Sequence, residues 1–330
     1  MEYTQIPGTD MNVSRIALGT WAIGGWMWGG TDEKESIKTI HAALDEGITV
    51  IDTAPVYGFG RSEEIVGKAV QEYGGRDKLF ISTKATLEWE DGKVYRNSTR
   101  DRILKEVDDS LRRLKTDYID IYFVHWPDPL VPIEATAETM KDLFDSGKIR
   151  SIGVSNYSPD QMKDFRKSAP LHLSQPPYNI FERQIEGEEK EYCHDHNIAL
   201  MTYGALCRGM LSGKMSKDRE FKGDDLRQYD PKFQGKRFDQ YLAAADKLEA
   251  LAKDRFNKDL LPLAVRWVLD QGVEIALWGG RKPEQMKPVR EVVGWNLNGA
   301  AKKEIDKILE DTIKDPVGPE FMAPPTRDKK

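Results

Sequence analysis

The sequence predicts an α/β fold in which eight parallel strands close into a barrel and each strand is followed by a helix. The first observation is a series of apolar, β-prone runs near residues 16–20, 50–54, 79–84, 118–125, 149–155, 171–175, 198–203 and 274–278. The second is the helical spacing between the runs, as at Ile37, Ile40 and Leu44. Strands covered on both faces are almost entirely apolar, as these runs are. The regular alternation of such strands with helices therefore favours a closed (β/α)8 barrel, the TIM barrel, over an open sheet.

Three segments lie outside the repeating units, because a TIM barrel takes about 250 residues and the chain has 330. Residues 3–13 contain two β-prone pieces around a Pro-Gly turn, which predicts an N-terminal β-hairpin. A polar stretch near residues 212–236 forms a long loop after strand 7, where such loops more often act as lids than as linkers. The C-terminal extension, residues 315–325, is rich in Pro and either packs near the pocket mouth or is disordered. We expect a single domain over residues 1–330.

Polar residues stand at the ends of three successive predicted strands. Asp52 ends the second strand and Tyr57 lies in the loop beyond it, while Lys84 ends the third strand and His125 the fourth. Each has an ordinary structural explanation when taken alone, such as a helix cap for Asp52 or core packing for His125. Because the carboxyl ends of barrel strands meet at one face, the four side chains together predict a catalytic site there.

This constellation resembles the catalytic tetrad of the aldo-keto reductase superfamily, in which Asp, Tyr, Lys and His occur in this order and strand placement. The similarity extends to residues 153–156 (GVSN), Gln175, Tyr203 and residues 279–285 (GGRKPEQ), so it covers nearly the whole chain. The sequence looks most like the bacterial branch of general-stress and sugar- or polyol-linked reductases. The resemblance implies an NADP(H)-dependent oxidoreductase that reduces small aldehydes and ketones to alcohols, with polyol oxidation as a reverse reaction.

Carbonyl reduction develops negative charge on the substrate oxygen, which must be hydrogen-bonded and then protonated. The resemblance implies that Tyr57 donates this proton in reduction and accepts it in alcohol oxidation, while His125 orients the carbonyl. A nearby ammonium favours a tyrosinate, so we expect Lys84 to lower the pKa of Tyr57. Asp52 then fixes Lys84 and offsets the cost of burying its charge.

By the same resemblance, Tyr203 stacks on the nicotinamide ring, and Ser155, Asn156 and Gln175 hold its carboxamide. The other cofactor residues that the resemblance implies are Thr20, Trp21, Asp52, Gly204, Ala205, Leu206, Cys207, Arg208, Lys214, Arg227, Gly279, Gly280, Arg281 and Gln285. Residues 204–208 with Lys214 look like the pyrophosphate clamp. Arg281 suits a 2′-phosphate because its planar fork can bond bidentately, which indicates NADP(H).

Two positions depart from the family's common pattern near the adenosine end. Trp278 stands where many relatives have Pro, and Pro288 and Val289 replace a Glu-Asn pair that often holds the adenine. How the adenine is anchored therefore stays open.

Aromatic residues gather at the same face of the barrel. Six of the eight tryptophans fall at or just past predicted strand ends, namely Trp21, Trp26, Trp28, Trp89, Trp126 and Trp278. We predict a substrate pocket formed by Trp21, Trp28, Tyr57, Trp89, His125 and Trp126. The alternative is that some of the tryptophans, Trp26 and Trp89 above all, only cover the top of the barrel.

The composition of the chain argues against some classes of binding partner and indicates a cellular compartment. The formal net charge of −6 comes from interspersed acidic and basic residues without a basic block, which argues against nucleic acid. No apolar run approaches the ~20 residues that a membrane span needs. Cys193 and Cys207 fit a reducing compartment, so we expect a cytoplasmic protein. The family resemblance implies a monomer that acts on a small-molecule carbonyl or alcohol.

Three other short motifs resemble known binding motifs but do not indicate a function here. Residues 58–60 (GFG) lack the third glycine of a dinucleotide-binding fingerprint, and residues 209–214 are one residue short of a Walker loop. In residues 193–196 (CHDH) adjacent side chains point in different directions, so no metal site is expected.

Two other functions are compatible with parts of the sequence. A barrel hydrolase using Asp52 and a second carboxylate leaves Lys84, Tyr203 and residues 279–285 unexplained. An NADP(H)-binding regulatory or redox-sensing protein with slow residual reductase activity stays an alternative, because some members of the superfamily serve as channel subunits.

Overall fold

The computed structural model describes residues 1–329. Its strands are β1 (Tyr3–Gln5), β2 (Asn12–Ser14), β3 (Ile16–Gly19), β4 (Val50–Asp52), β5 (Phe80–Ala85), β6 (Leu87–Glu90), β7 (Lys93–Arg96), β8 (Ile121–Val124), β9 (Ile152–Ser155), β10 (Leu173–Gln175), β11 (Ala199–Thr202) and β12 (Ile275–Gly279). Its α-helices are α1 (Trp21–Gly24), α2 (Glu33–Asp45), α3 (Arg61–Tyr73), α4 (Arg100–Leu114), α5 (Ile133–Asp145), α6 (Pro159–Phe165), α7 (Glu188–Asp195), α8 (Gly235–Phe256), α9 (Leu260–Asp270) and α10 (Gly299–Thr312).

Eight of these strands form the closed parallel barrel that the sequence predicts, in the order β3, β4, β5, β8, β9, β10, β11 and β12. Strand β12 closes the ring by pairing in parallel with β3, which places Ala276 beside Ile16. Each of the eight predicted apolar runs overlaps one barrel strand, and only β5 and β12 extend one residue beyond their runs, so the fold prediction is confirmed. All eight carboxyl ends meet at one face, which we call the top of the barrel.

The interior of the barrel is a compact apolar cluster. Its members from the barrel strands are Ala17, Val50, Ile121, Phe123, Leu173, Ala199, Met201, Ile275 and Leu277. The Phe123 ring fits only because a glycine faces it, since a Cβ on Gly153 would lie 2.2 Å from that ring.

The predicted N-terminal hairpin forms from β1 and β2, which pair antiparallel. Its apolar residues Ile6, Met11 and Val13 belong to the same cluster as the barrel interior. The Ser14 N–H donates to Thr49 Oγ1, just before β4 begins, over 3.0 Å. The hairpin therefore covers the amino-terminal end of the barrel, opposite the top.

The helices cover the outside of the barrel with one apolar stripe each. In α4 the buried residues include Ile103, Val107 and Leu114, which recur every one or two turns, while Arg100 is exposed. None of the helices within residues 1–329 is long and apolar enough to cross a membrane.

Three additions lie at the top of the barrel. The β6–β7 hairpin follows β5 after a single residue and is not among the elements predicted above. The segment after β11 contains short 3₁₀ turns at Leu226–Gln228 and Pro231–Phe233 before α8 begins. The C-terminal tail is packed, which decides between the two alternatives for it, because the Arg96 N–H donates to the Pro325 carbonyl over 2.9 Å.

Candidate active site

Asp52 and Lys84 form a buried ion pair at the ends of β4 and β5. Lys84 Nζ donates to Asp52 Oδ2 over 2.7 Å and to the Thr53 carbonyl over 2.9 Å. The second carboxylate oxygen of Asp52 accepts from Ser82 Oγ over 2.8 Å and from Gln175 Nε2 over 3.0 Å. Burial lowers the pKa of Lys84, and the Asp52 carboxylate opposes this by raising it. Every oxygen of the carboxylate has a donor, which is the condition under which a buried charge is tolerated.

Tyr57 lies above this pair, in the loop after β4. Lys84 Nζ is 5.0 Å from the centre of its ring. Trp21 stacks on the ring at 5.8 Å with 19° between the planes, and His125 packs edge-on at 5.9 Å. The loop depends on Gly58, whose φ is 67° and whose Cβ, if present, would lie 2.1 Å from the Gly24 carbonyl oxygen. The four strand-end residues therefore lie together, as the sequence suggests.

The pKa of Tyr57 differs from the value expected from the sequence. Burial raises the pKa of Tyr57 well above 10, and the charges of Asp52 and of an ionised Tyr203 act in the same direction. The expectation of a lowered Tyr57 pKa is therefore wrong for this structure, because the Lys84 ammonium over the ring face favours the tyrosinate but enclosure of the ring outweighs it. Burial, and then Lys84, lower the pKa of His125 well below 6.5, so its imidazole is neutral at neutral pH.

The side chains predicted to hold the nicotinamide form one hydrogen-bonded chain. The Tyr203 hydroxyl donates to Asn156 Oδ1 over 2.9 Å, and Asn156 Nδ2 donates to Ser155 Oγ over 3.0 Å. Ser155 Oγ donates to the Gln175 carbonyl over 2.7 Å. Because the Gln175 amide reaches Asp52, the chain of bonds connects the Tyr203 ring to the catalytic ion pair.

A cavity of about 1320 Å³ opens at the top of the barrel. The predicted cofactor residues in its wall are Thr20, Trp21, Asp52, Ser155, Asn156, Gln175, Tyr203, Gly204, Ala205, Leu206, Arg208, Lys214, Arg227, Gly279, Gly280, Arg281 and Gln285. Cys207 is the exception, since its side chain is fully buried behind the wall. The cavity exceeds the roughly 300–1,000 Å³ of ordinary small-molecule sites, so it has room for a dinucleotide together with a substrate.

Two of the predicted phosphate ligands already have charged partners. The buried guanidinium of Arg208 pairs with Glu182 and Asp230. Arg227 donates to both oxygens of Asp225 over 2.9 and 2.6 Å. Neither guanidinium is free for a phosphate in this structure, so the donors left at residues 204–208 are backbone N–H groups other than that of Cys207, which donates to the Gly204 carbonyl over 2.7 Å.

Two other cations at the cavity are available. Lys214 is exposed, and within residues 1–329 no carboxylate lies at ion-pair distance from it. Arg281 is also exposed and donates to two neutral carbonyls, those of Trp28 over 2.6 Å and Gly30 over 2.8 Å. A phosphate could replace these carbonyls with charge-assisted bonds.

The loop after β12 is shaped by Gln285 and Gly280. Gln285 Oε1 accepts from the backbone N–H groups of Arg281 and Lys282 over 2.7 and 3.0 Å. A Cβ on Gly280 would lie 2.2 Å from Met286 Cε, so a larger residue there would require the Met286 side chain to move. Pro288 and Trp278 also line the cavity, whereas Val289 is buried.

The part of the cavity next to Tyr57 and His125 is mainly aromatic and apolar. Trp21, Trp28 and Trp126 line the cavity, together with Trp26. Trp89 does not line it, because it packs against Phe59 at 5.6 Å, and Phe59 separates it from Trp26. For Trp89 the prediction of a pocket position is therefore wrong, and it covers the top of the barrel instead.

Sequence reasoning missed several wall residues near the tetrad. The structure adds Leu87 and Val94 from the β6–β7 hairpin, and Phe321, Met322, Pro324 and Pro325 from the tail. The signal for the hairpin was present, since Asp91-Gly92 between two β-prone runs is typical of a hairpin turn. Nothing in the tail sequence indicates which surface it covers.

Comparisons with known proteins agree with this architecture. A sequence model described as the Aldo/keto reductase family matches residues 15–310. The chain is 61% identical over 330 residues to aldo-keto reductase YhdN of Bacillus subtilis (strain 168), covering 100% of both chains. It is 34% identical over 308 residues to the NADH-specific methylglyoxal reductase of Escherichia coli (strain K12), covering 88% of this chain and 93% of that one. The solved structure of the glycerol dehydrogenase AKR11B4 from Gluconobacter oxydans matches with a TM-score of 0.88 at 53% identity, covering 97% of this chain and 99% of that one.

Proposed function

Because the chain belongs to the aldo/keto reductase family, we propose that it reduces small aldehydes and ketones to alcohols with NADPH and oxidises alcohols in the reverse direction. Tyr57 is the general acid in reduction and the general base in oxidation. The observation that carries this proposal is the buried Asp52–Lys84 pair beneath Tyr57 and His125, at one end of a cavity that has room for a dinucleotide.

The residues of the chain account for the proton in this reaction. NADPH, when bound, supplies the hydride. As the carbonyl oxygen gains negative charge, Tyr57 donates its proton, which burial keeps on the phenol at neutral pH. His125, which is neutral, donates a hydrogen bond that orients the same oxygen. The tyrosinate that results lies beside the Lys84 ammonium, which stabilises its charge.

The donor groups around the cavity fit a nicotinamide dinucleotide phosphate. Ser155, Asn156 and Gln175 would hold the carboxamide, with the Tyr203 ring against the nicotinamide. The backbone of residues 204–208 and the Lys214 side chain would hold the pyrophosphate.

The preference for NADPH over NADH rests on Arg281. Its guanidinium is exposed at the cavity, and its present partners are neutral carbonyls rather than carboxylates. A 2′-phosphate would therefore meet an uncompensated positive charge with a bidentate geometry. The Escherichia coli relative is named as specific for NADH, so relatedness alone does not decide the cofactor of this chain.

The names of the relatives suggest the first substrates to assay. Methylglyoxal follows from the name of the Escherichia coli relative, and glycerol, assayed in the oxidation direction, follows from the name of the Gluconobacter enzyme. We also propose a cytoplasmic monomer, on the family resemblance and on two cysteines that are both free and buried.

The test compares the wild type with Tyr57→Phe in steady-state oxidation of NADPH by methylglyoxal. We expect multiple turnover in the wild type and a loss of at least about 100-fold in the variant, because the proton donor is removed. Quenching of tryptophan fluorescence should show unchanged cofactor binding, since the nicotinamide contacts lie elsewhere. Tyr122→Phe is the matched control, because the buried Tyr122 hydroxyl has no hydrogen-bond partner within residues 1–329 and lies outside the cavity wall.

Two outcomes would contradict the proposal. If wild-type protein oxidised one equivalent of NADPH slowly and then stopped with every carbonyl in the panel, the redox-sensing alternative would be supported. If Tyr57→Phe kept most of the wild-type rate, Tyr57 would not be the proton donor.

A further inference from the structure

Thr86 has a backbone conformation that a β-branched residue rarely adopts. Its φ angle is 84°, and no other Val, Ile or Thr in residues 1–329 has a positive φ. A β-branched residue in this region is a steric outlier, whereas glycine adopts it without cost. Thr86 is also fully buried. Strain of this kind persists only where surrounding contacts hold it in place, and it tends to occur at functional sites.

The position of Thr86 connects three parts of the active site. It is the single residue between β5, which carries Lys84, and β6, whose first residue Leu87 lines the cavity. Its hydroxyl donates to the Trp126 carbonyl over 3.3 Å and accepts from the Trp126 N–H over 3.5 Å. Trp126 directly follows His125 and also lines the cavity.

Both backbone polar groups of Thr86 are held as well. Its N–H donates to Glu106 Oε2 over 2.6 Å, and its carbonyl accepts from the Asn97 N–H over 2.9 Å. Arg102 donates to the other oxygen of Glu106 over 2.8 Å and to the Leu87 carbonyl over 3.3 Å. Two residues one turn apart on α4 therefore brace the strained residue and the first residue of the hairpin.

We propose that Thr86 is a positioning residue for carbonyl reduction, and that its hydroxyl fixes Trp126 and His125 relative to Lys84 and the Leu87 wall. This inference rests on the proposed function, because its effect is on the placement of the carbonyl against Tyr57. A glycine would relieve the backbone strain but would lack the hydroxyl that bridges the backbone N–H and carbonyl of Trp126. The geometry thus indicates that the bridge outweighs the strain at this position.

Two substitutions of Thr86 distinguish the effect of its hydroxyl from the effect of its backbone strain. Thr86→Gly removes both, whereas Thr86→Ser keeps the hydroxyl and removes the β-branch. We expect Thr86→Gly to lower kcat/KM for methylglyoxal by about tenfold, mainly through kcat, because a small misplacement of an orienting group is enough for this effect. We expect its melting temperature not to fall and its NADPH dissociation constant to stay within about twofold of wild type. Thr86→Ser should keep the wild-type kcat.

Lys115→Gly is the matched control for relief of backbone strain. Lys115 is exposed at the end of α4, has a φ of 55° and lies away from the cavity. Its replacement should leave the kinetics unchanged.

The inference is overturned if Thr86→Gly has wild-type kcat/KM, if Thr86→Ser loses as much kcat as Thr86→Gly, or if Thr86→Gly loses melting temperature and cofactor affinity along with activity. Failure of the proposed function would be seen separately, as absence of turnover in the wild type.

Discussion

At the scale of single residues, Tyr57 lies in surroundings that favour one of its two protonation states. Burial raises its pKa well above 10, so the phenol keeps its proton across the accessible pH range. Reduction needs the phenol and should therefore be nearly independent of pH, whereas alcohol oxidation needs the tyrosinate and should rise by about tenfold per pH unit. Measurements of kcat/KM in both directions from about pH 6 to about pH 9.5 test this. A plateau of the oxidation rate near neutral pH would show that Lys84 lowers the pKa after all.

Arg281 determines the choice of cofactor in our proposal. A charge-assisted bond is worth roughly 1.5–3 kcal/mol, so Arg281→Ala should weaken NADPH binding by about 10- to 150-fold and leave NADH almost unchanged. The salt dependence of NADPH binding should become weaker as the ion pair disappears. Isothermal titration of both cofactors at low and moderate salt measures both effects.

Arg290→Ala is the matched control for this prediction, because Arg290 is exposed in the same region of the chain and pairs with Glu46 instead of lining the cavity. An equal loss of affinity for NADH and NADPH in Arg281→Ala would mean that Arg281 only shapes the loops around Trp28 and Gly30.

The residues that sequence reasoning placed well are those whose position follows from the barrel itself. Asp52, Lys84 and His125 meet because each ends a strand, and the ends of parallel barrel strands share one face. Arg208 shows the limit of this argument. Its charged partners Glu182 and Asp230 come from two other loops, and no local pattern connects three loops before the chain has folded.

At the scale of structural elements, the C-terminal tail and the β6–β7 hairpin form one wall of the cavity and hold each other. Arg96 Nε donates to the Pro324 carbonyl over 2.8 Å, and Arg327 Nη1 donates to the buried Asp128 carboxylate over 2.6 Å. Phe321 and Met322 in the same tail line the cavity. The tail is therefore fixed to the loop that follows β8, next to Trp126.

Removing the Arg327 contact should loosen this wall without changing the chemistry. We expect Arg327→Ala to raise KM for carbonyl substrates by roughly three- to tenfold, because one charge-assisted bond that holds the tail is lost, while kcat and NADPH affinity stay close to wild type. Steady-state kinetics with an aromatic aldehyde measures the change. Arg237→Ala is the control, since it removes a more exposed pair with Asp315 at the other end of the tail. An unchanged KM in Arg327→Ala would show that the tail wall is held by its other contacts.

Some structural elements could be predicted from the sequence and others could not, as was also true of single residues. The eight barrel strands and the N-terminal hairpin follow from local apolar patterns and turn residues, and they are found where expected. The place of the tail could not be derived, because it depends on a long-range contact between Arg327 and Asp128. The position of Trp89 depends on which face of the β6–β7 hairpin meets the cavity, which composition does not specify.

At the scale of the whole molecule, four buried charges join separate loops at the top of the barrel. Glu182 pairs with Arg208 and with Lys232 Nζ, the latter at 2.8 Å, and Asp230 pairs with Arg208. Lys232 Nζ also donates to the Gly318 carbonyl over 3.0 Å, which includes the tail in the network. Burial raises the pKa of Glu182, but Arg208 and Lys232 outweigh burial and hold the pKa at about 2.

This network should make stability depend on pH. The pKa of Glu182 is lowered on folding from its ordinary value of 4.5, so its contribution is fully present above pH 4.5 and is lost as the pH falls toward 2. The shift corresponds to about 3 kcal/mol. We expect Glu182→Gln to lower the urea midpoint strongly at pH 7, because it leaves two cations with only Asp230, and the difference from wild type should shrink toward pH 3.

Glu304→Gln provides the control, because its pair with Arg255 is exposed and should contribute little at any pH. A difference between wild type and Glu182→Gln that stayed constant between pH 7 and pH 3 would contradict the assignment of the titrating group to Glu182.

Closure of the barrel through β3 and β12 also has a kinetic consequence. Ile16 pairs with the strand that contains Ala276, and the Arg15 guanidinium donates to the carbonyls of Leu269 and Val273 over 3.1 and 2.8 Å. The sheet therefore cannot become a ring until both ends of the barrel sequence have been synthesised and have met, and contacts so distant in sequence slow folding. Until then β3 and β12 are open edges, and an open parallel edge can pair with another chain. The time between synthesis of the first strand and arrival of the last is thus the interval in which this protein is most exposed to aggregation.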